Sequence, residues 1–347
     1  MGWCESRARE GPGFWASVRI KGMKNRNELS RPAPRGRGII VPMITPLLDR
    51  DTLDVAGLER HIERLLGGGV HGVFALGSTG EAPSLSRRLR CELVERVCGL
   101  VDGRVPVLVG VNETSLVEGV QFAEHAAGAG AAALVLSTPG YYLVSQAELT
   151  AYYEAIIPQL PLPVFLYNIP SLTKLSIEPE TVQRAAELPG VLGLKDTSRD
   201  MIYFHKVHRL MADRPDFALL VGPEQLLAEA VMMGAHGGVH TGSNIWPRLY
   251  VDLYEAAAAR DLDRVNQLQK TVMQLSTSIY GDMRYAANIK GAKCALSLMG
   301  ICRDTLAEPF QPFDEARRQQ VHAALADLGL LGSRRPQSAD TPVQRAS

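Results

Sequence analysis

Eight short runs of β-branched and apolar residues recur along the chain, all but the last at intervals of roughly 25–35 residues, and a stretch of helical period follows each one. That alternation dictates βα units and a parallel sheet, because parallel neighbours need a long crossover and a helix is its usual form. The runs fall at 39–44, 72–76, 105–109, 133–137, 164–167, 191–195, 218–221 and 237–240. Helical stretches follow at 55–66, 85–100, 115–127, 146–157, 179–187, 200–211, 225–233 and 247–260. Eight such units in succession are what closes into a (β/α)8 TIM barrel, an α/β fold. The punctuation agrees. Thr114, Ser145 and Asp200 are placed to cap helix N-termini, Pro179 and Pro247 suit a first turn, and Gly128 and Gly234 suit a stop. An open doubly wound sheet is the competing arrangement, but no run is followed by a G-x-G-x-x-G loop opening a helix.

The barrel is expected over 37–260, with a C-terminal helical region of about three segments over 261–332. Residues 1–36 are rich in Arg, Gly and Pro without periodicity and read as a disordered arm, or as sequence upstream of a later start at Met23. The tail 333–347 reads similarly. Charge adds one exclusion: 37 Lys+Arg balance 37 Asp+Glu, so no global field draws the chain to nucleic acid or an anionic membrane. Any anion must be held by a local site. Five cysteines with no C-x-x-C pair make a poor disulfide framework, and no window holds the ~20 apolar residues of a membrane helix. A cytoplasmic protein is the expectation.

In a barrel of this kind, chemistry sits at the C-terminal ends of the strands. Lys195 closes the run Val191-Leu-Gly-Leu-Lys, where apolar surroundings favour the neutral, nucleophilic amine that attacks a carbonyl. Pairing with Asp196 or reaching to solvent is the bland alternative. Gly77-Ser-Thr-Gly-Glu81 follows the second strand, so its amides and the Ser78 and Thr79 hydroxyls form a candidate nest for a carboxylate, or else a plain tight turn. Tyr167 closes the fifth strand and brings a phenol to the same rim, as a proton carrier or a core tyrosine. Tyr141 and Tyr142 follow the fourth strand as packing anchors or contacts to another subunit. His236 and His240 lie on or beside the eighth strand, where they are expected to meet solvent or a carbonyl, and no cysteine stands at ligand spacing from them, so no metal is expected.

The order of these motifs resembles the class I pyruvate-dependent aldolase superfamily of dihydrodipicolinate synthase and N-acetylneuraminate lyase. Val41-Pro-Met-Ile-Thr-Pro46, Gly77-Ser-Thr-Gly-Glu81, Tyr167-Asn-Ile-Pro170, Gly193-Leu-Lys-Asp196 and Gly234-Ala-His-Gly-Gly238 carry the resemblance, which spans about 38–332. It implies that Lys195 forms a Schiff base with a 2-oxo acid, so no external cofactor is needed. It also implies Tyr167 as general acid/base, Ser78 as a relay hydroxyl, and Thr79 with the Gly80 amide as the carboxylate grip. Tyr141 would be lent across a subunit interface of a homotetramer built from dimers. The small-molecule partners would be pyruvate and an aldehyde.

Residue 172 separates members. Dihydrodipicolinate synthases usually carry arginine in that loop to clamp a second carboxylate, whereas this chain has Leu172, with Lys174 two residues on as a partial substitute. Sialic acid lyases tend to have leucine there and an Asp-Glu pair after the seventh strand; here the pair is Glu224-Gln225. Those two, with Thr241 and Asn244 at the next strand end, suit a hydroxylated tail. A 2-keto-3-deoxy sugar acid or sialic-acid-like substrate is the leading expectation. The synthase reaction, a dehydratase using the same iminium, and a phosphosugar-binding barrel built on the 237–244 region are the alternatives.

Overall fold

The computed structural model describes residues 36–281 and 286–331. The arm and tail expected at the two ends lie outside these residues, apart from Gly36. Eight parallel strands close on themselves in chain order: β1 (Gly38–Pro42), β2 (Gly72–Ala75), β3 (Val107–Val111), β4 (Ala133–Ser137), β5 (Val164–Asn168), β6 (Val191–Asp196), β7 (Ala218–Val221) and β8 (Gly237–Gly238). Around them run α1 (Val55–Gly67), α2 (Arg87–Val101), α3 (Leu116–Gly128), α4 (Gln146–Ile156), α5 (Pro170–Thr173), α6 (Pro179–Ala186), α7 (Met201–Leu210), α8 (Leu227–Met232) and α9 (Pro247–Ala259). Then come α10 (Leu262–Tyr280), α11 (Ala287–Leu298) and α12 (Glu315–Asp327), the three helices beyond the eighth unit. The expected barrel with its helical appendage is the fold.

Both faces of each strand are buried, which is why the strands read as continuous apolar runs rather than alternating ones. Along β5, Val164 and Leu166 join the large core between sheet and helices, while Phe165 and Tyr167 join Ile40, Phe74, Leu108, Val135 and Leu220 inside the barrel. A Cβ at Gly193 of β6 would collide with the carbonyl of Ala218, so glycine is what lets β7 approach there.

Three local expectations are corrected. β3 begins at Val107, not 105, because Pro106 has no N–H to give; its carbonyl accepts Val73 N at 3.1 Å instead. Ser115 rather than Thr114 occupies the cap of α3. β8 stops at Gly238, after which the chain turns through 241–244. The caps at Ser145, which forms a full capping box with Glu148, and at Asp200 are as expected. No helix among the described residues is long and apolar enough to cross a membrane.

Candidate active site

Strand register builds the centre of the site. Lys195 and Tyr167 are Cα partners on β6 and β5, so both side chains face the barrel interior at its C-terminal rim. Lys195 is 5% exposed, and its Nζ lies 3.9 Å from the Tyr167 ring centroid and 4.9 Å from that of Phe74. The two ring faces are surfaces that attract a cation. An amine in such surroundings suits a reaction that passes through a cationic iminium. The next register pair, Asn168 and Asp196, points to the other face, where Asn168 Nδ2 donates to Asp196 Oδ1 at 2.9 Å. Ser198 adds its amide at 3.0 Å and its hydroxyl at 2.9 Å. Burial pushes the Asp196 carboxyl up, and these donors pull it back. Asp196 is therefore committed to holding the strand ends, and it does not pair with the lysine.

Lys195 and Tyr167 lie in the wall of a cavity of about 890 Å³ that Ser78, Thr79, Leu172, Glu224, Gln225 and Thr241 also line. Eight of the eleven residues singled out from the sequence thus meet in one place. In the loop after β2, Gly80 N donates to Gly77 O at 3.0 Å and Glu81 N to Ser78 O at 3.1 Å. Those turn bonds leave the Ser78 and Thr79 amides without a backbone acceptor among the described residues. Thr79 Oγ1 lies 3.1 Å from Thr241 Oγ1, which also accepts from Asn288 Nδ2 at 3.2 Å.

Three residues are not in the cavity wall, and the expectations for them change. The Gly80 amide is spent on its turn, and its carbonyl accepts Thr45 Oγ1 at 2.7 Å. Asn244 is wholly buried and fully used: Oδ1 accepts Ile44 N at 3.1 Å and sits 3.0 Å from His61 Nε2, while Nδ2 donates to Pro42 O at 3.0 Å and Thr241 O at 2.9 Å. It fastens β1 and α1 to the turn after β8 and has no capacity left for a ligand. Tyr141 is 90% exposed, with its ring edge-on to Tyr142, and it does not reach this chain's cavity. Lys174, two residues past Leu172, donates its Nζ to Ser171 O at 2.8 Å.

Sequence reasoning missed two buried clusters. Glu81, held at φ +58°, pairs with Lys293 of α11 at 2.5 Å, both side chains being wholly buried. Glu81 Oε2 accepts Ala307 N at 2.7 Å and Lys293 Nζ donates to Thr305 O at 2.6 Å, so the Ser78-Thr79 loop is anchored to the C-terminal helices. A lysine inside Ala292-Lys-Cys-Ala-Leu296 was the available signal. The second cluster surrounds Glu224, whose Oε2 accepts Tyr250 Oη at 2.7 Å and Gly242 N at 3.0 Å. Burial pushes its carboxyl up to about 7, against the pull of these donors. Its Oε1 and the nearby Tyr280 hydroxyl have no hydrogen-bond partner among the described residues, and both residues line the cavity. His240 Nδ1 donates to the Gly222 carbonyl at 2.8 Å, its Nε2 has no hydrogen-bond partner among the described residues, and burial pushes the imidazole down to about 4. Among the described residues no cluster could hold a metal ion.

Residues 35–328 match the sequence profile of the Dihydrodipicolinate synthetase family. The chain belongs to that family. Family members of known activity are pyruvate-dependent lyases and aldolases, and the chain is an enzyme of that class. A dihydrodipicolinate synthase structure from the commensal bacterium Bacteroides thetaiotaomicron is 50% identical with a TM-score of 0.82, over 84% of this chain and 98% of that one. A family prophage protein from Escherichia coli K12, solved in complex with pyruvate, is 31% identical with a TM-score of 0.80, over 85% of this chain and 99% of that one. A probable 2-dehydro-3-deoxy-D-pentonate aldolase of E. coli K12 is 32% identical over 296 residues, 84% of this chain and 97% of the relative.

Proposed function

We propose that the protein cleaves a 2-keto-3-deoxy sugar acid into pyruvate and an aldehyde, or joins them, through a Schiff base on Lys195. The observation that carries this reading is the register pairing of Lys195 with Tyr167 in a cavity shared with the Ser78-Thr79 loop. Lys195 Nζ attacks the 2-oxo carbon and water leaves, giving an iminium that withdraws electrons from C3. Tyr167 takes the proton of the 4-hydroxyl as the C3–C4 bond breaks, with Ser78 as the relay. The aldehyde departs, the enamine is protonated at C3, and hydrolysis releases pyruvate and the free lysine. The amides of Ser78 and Thr79, with the Thr79 hydroxyl, hold the substrate carboxylate.

Leu172 favours a sugar acid over aspartate semialdehyde. It is 61% exposed at the cavity wall and offers no charge to a second carboxylate, and Lys174 is turned onto Ser171. Glu224, Gln225 and Thr241 line the cavity with groups that bind hydroxyls, and the relative named as a pentonate aldolase supports that choice. The 50% identity to a structure named dihydrodipicolinate synthase favours the synthase as the second reading. Tyr141, exposed and outside its own cavity, is the group that a second subunit of a tetramer would receive. Rates with pyruvate and a panel of hydroxyaldehydes against aspartate semialdehyde test the reading: it expects hydroxyaldehydes to win, and preferred turnover of the semialdehyde overturns it.

A further inference from the structure

Five residues with formal charge line the cavity among the described residues: Glu81, Lys195, Glu224, Arg199 and Lys290. Their charges do not balance. Glu81 is consumed by Lys293, which lies behind the wall, and Glu224 is a buried carboxyl hydrogen-bonded to Tyr250 and the Gly242 amide. Burial pushes that carboxyl up to about 7, so below neutral pH it carries little charge. With substrate bound, the Lys195 iminium is matched by the carboxylate of the 2-oxo acid. Arg199 and Lys290 are then left over.

Neither has a carboxylate partner among the described residues. The acid beside Arg199 is occupied, since Asp200 Oδ1 accepts Ile202 N at 2.8 Å and Tyr203 N at 3.1 Å as the cap of α7. Arg199 itself sits at φ +64°, a left-handed conformation that glycine adopts freely and other residues disfavour. An arginine is held there against that backbone preference, on the wall of the cavity. Lys290 belongs to the first turn of α11, whose N-terminal residues Ala286 and Asn288 line the same cavity, so the positive end of that helix adds to the field.

We propose that Arg199 and Lys290 form a subsite for an anionic end group on the aldehyde half of the substrate, a carboxylate, so that the substrate is a 2-oxo sugar diacid. This inference rests on the aldolase reading above.

The test compares three aldehydes condensed with pyruvate: glyceraldehyde, 2-hydroxy-3-oxopropanoate, in which a carboxylate replaces its hydroxymethyl group, and glyceraldehyde 3-phosphate. At low ionic strength the carboxylate compound is expected to have a kcat/KM at least about tenfold above glyceraldehyde, with the preference shrinking as salt rises. In the R199Q/K290Q double variant that ratio falls about tenfold or more, and in R199K/K290R, where the charges stay, most of it is kept. Equal rates for the neutral and carboxylate compounds, a preference that survives R199Q/K290Q, or a preference for the phosphate ester each overturn the proposal. Borohydride trapping of pyruvate by the wild-type protein separates the two levels. If trapping fails, the aldolase reading falls with it; if trapping succeeds without anion preference, only the subsite falls.

Discussion

Removing the Lys293 charge alone should destabilise the protein by about 3–5 kcal/mol, because it leaves Glu81 as an uncompensated charge in a site closed to water. The Thr305 carbonyl loses its 2.6 Å donor in the same step. The direction of the Lys293 shift refines the expectation. Burial lowers it, and the attraction of Glu81 only partly restores it. Desolvation therefore outweighs pairing, so removing both charges should cost far less than removing one. In K293M the full penalty appears. In E81Q/K293M the glutamine still accepts Ala307 N, no charge is stranded, and at least half of the loss should return. Urea unfolding followed by circular dichroism at neutral pH measures both. The KM for pyruvate should also rise in K293M, since the same pair anchors the Ser78-Thr79 loop. A K293M cost below about 1 kcal/mol, or a double variant as unstable as the single one, would refute the argument.

Replacing Asn244 with alanine strands four buried partners, Ile44 N, His61 Nε2, Pro42 O and Thr241 O, and should cost at least about 3 kcal/mol in the same unfolding assay. The pH dependence has a definite sign. His61 and His240, held at about 4, are each neutral in the fold, so stability falls as pH drops from the unfolded histidine value of about 6.5 toward 4. Glu224, raised to about 7, acts oppositely: its contribution is present below the ordinary carboxylate value and is lost as pH rises through about 7. Stability measured between these limits should therefore decline on acidification, and E224Q should steepen the decline; a shallower slope in E224Q contradicts the assignment. Y167F should lower turnover by about 10²–10⁴ while pyruvate can still be trapped by borohydride, a pattern that rapid-quench assays would show.

Much of the barrel was legible because its physics is periodic. Strands buried on both faces must be apolar throughout, and helices must show one apolar stripe, so 133–137 and 218–221 match β4 and β7 to the residue. The rim chemistry was legible where a polar residue ends an apolar run, as with Lys195 and Tyr167. What failed had a different cause. Asn244 and Gly80 carry suitable groups at suitable positions, but hydrogen bonds between elements far apart in sequence use those groups up, and pattern alone cannot count them. Lys293, Tyr250 and Tyr280 escaped for the converse reason, since helices give no local sign of which polar side chain meets a buried carboxylate from another element.

Pyruvate and borohydride, followed by peptide mass mapping, address the central claim most directly. The account predicts one reduced adduct per chain, carried by the peptide that contains Lys195, and its loss in K195R. An adduct on another lysine, or turnover that persists in K195R, would contradict it.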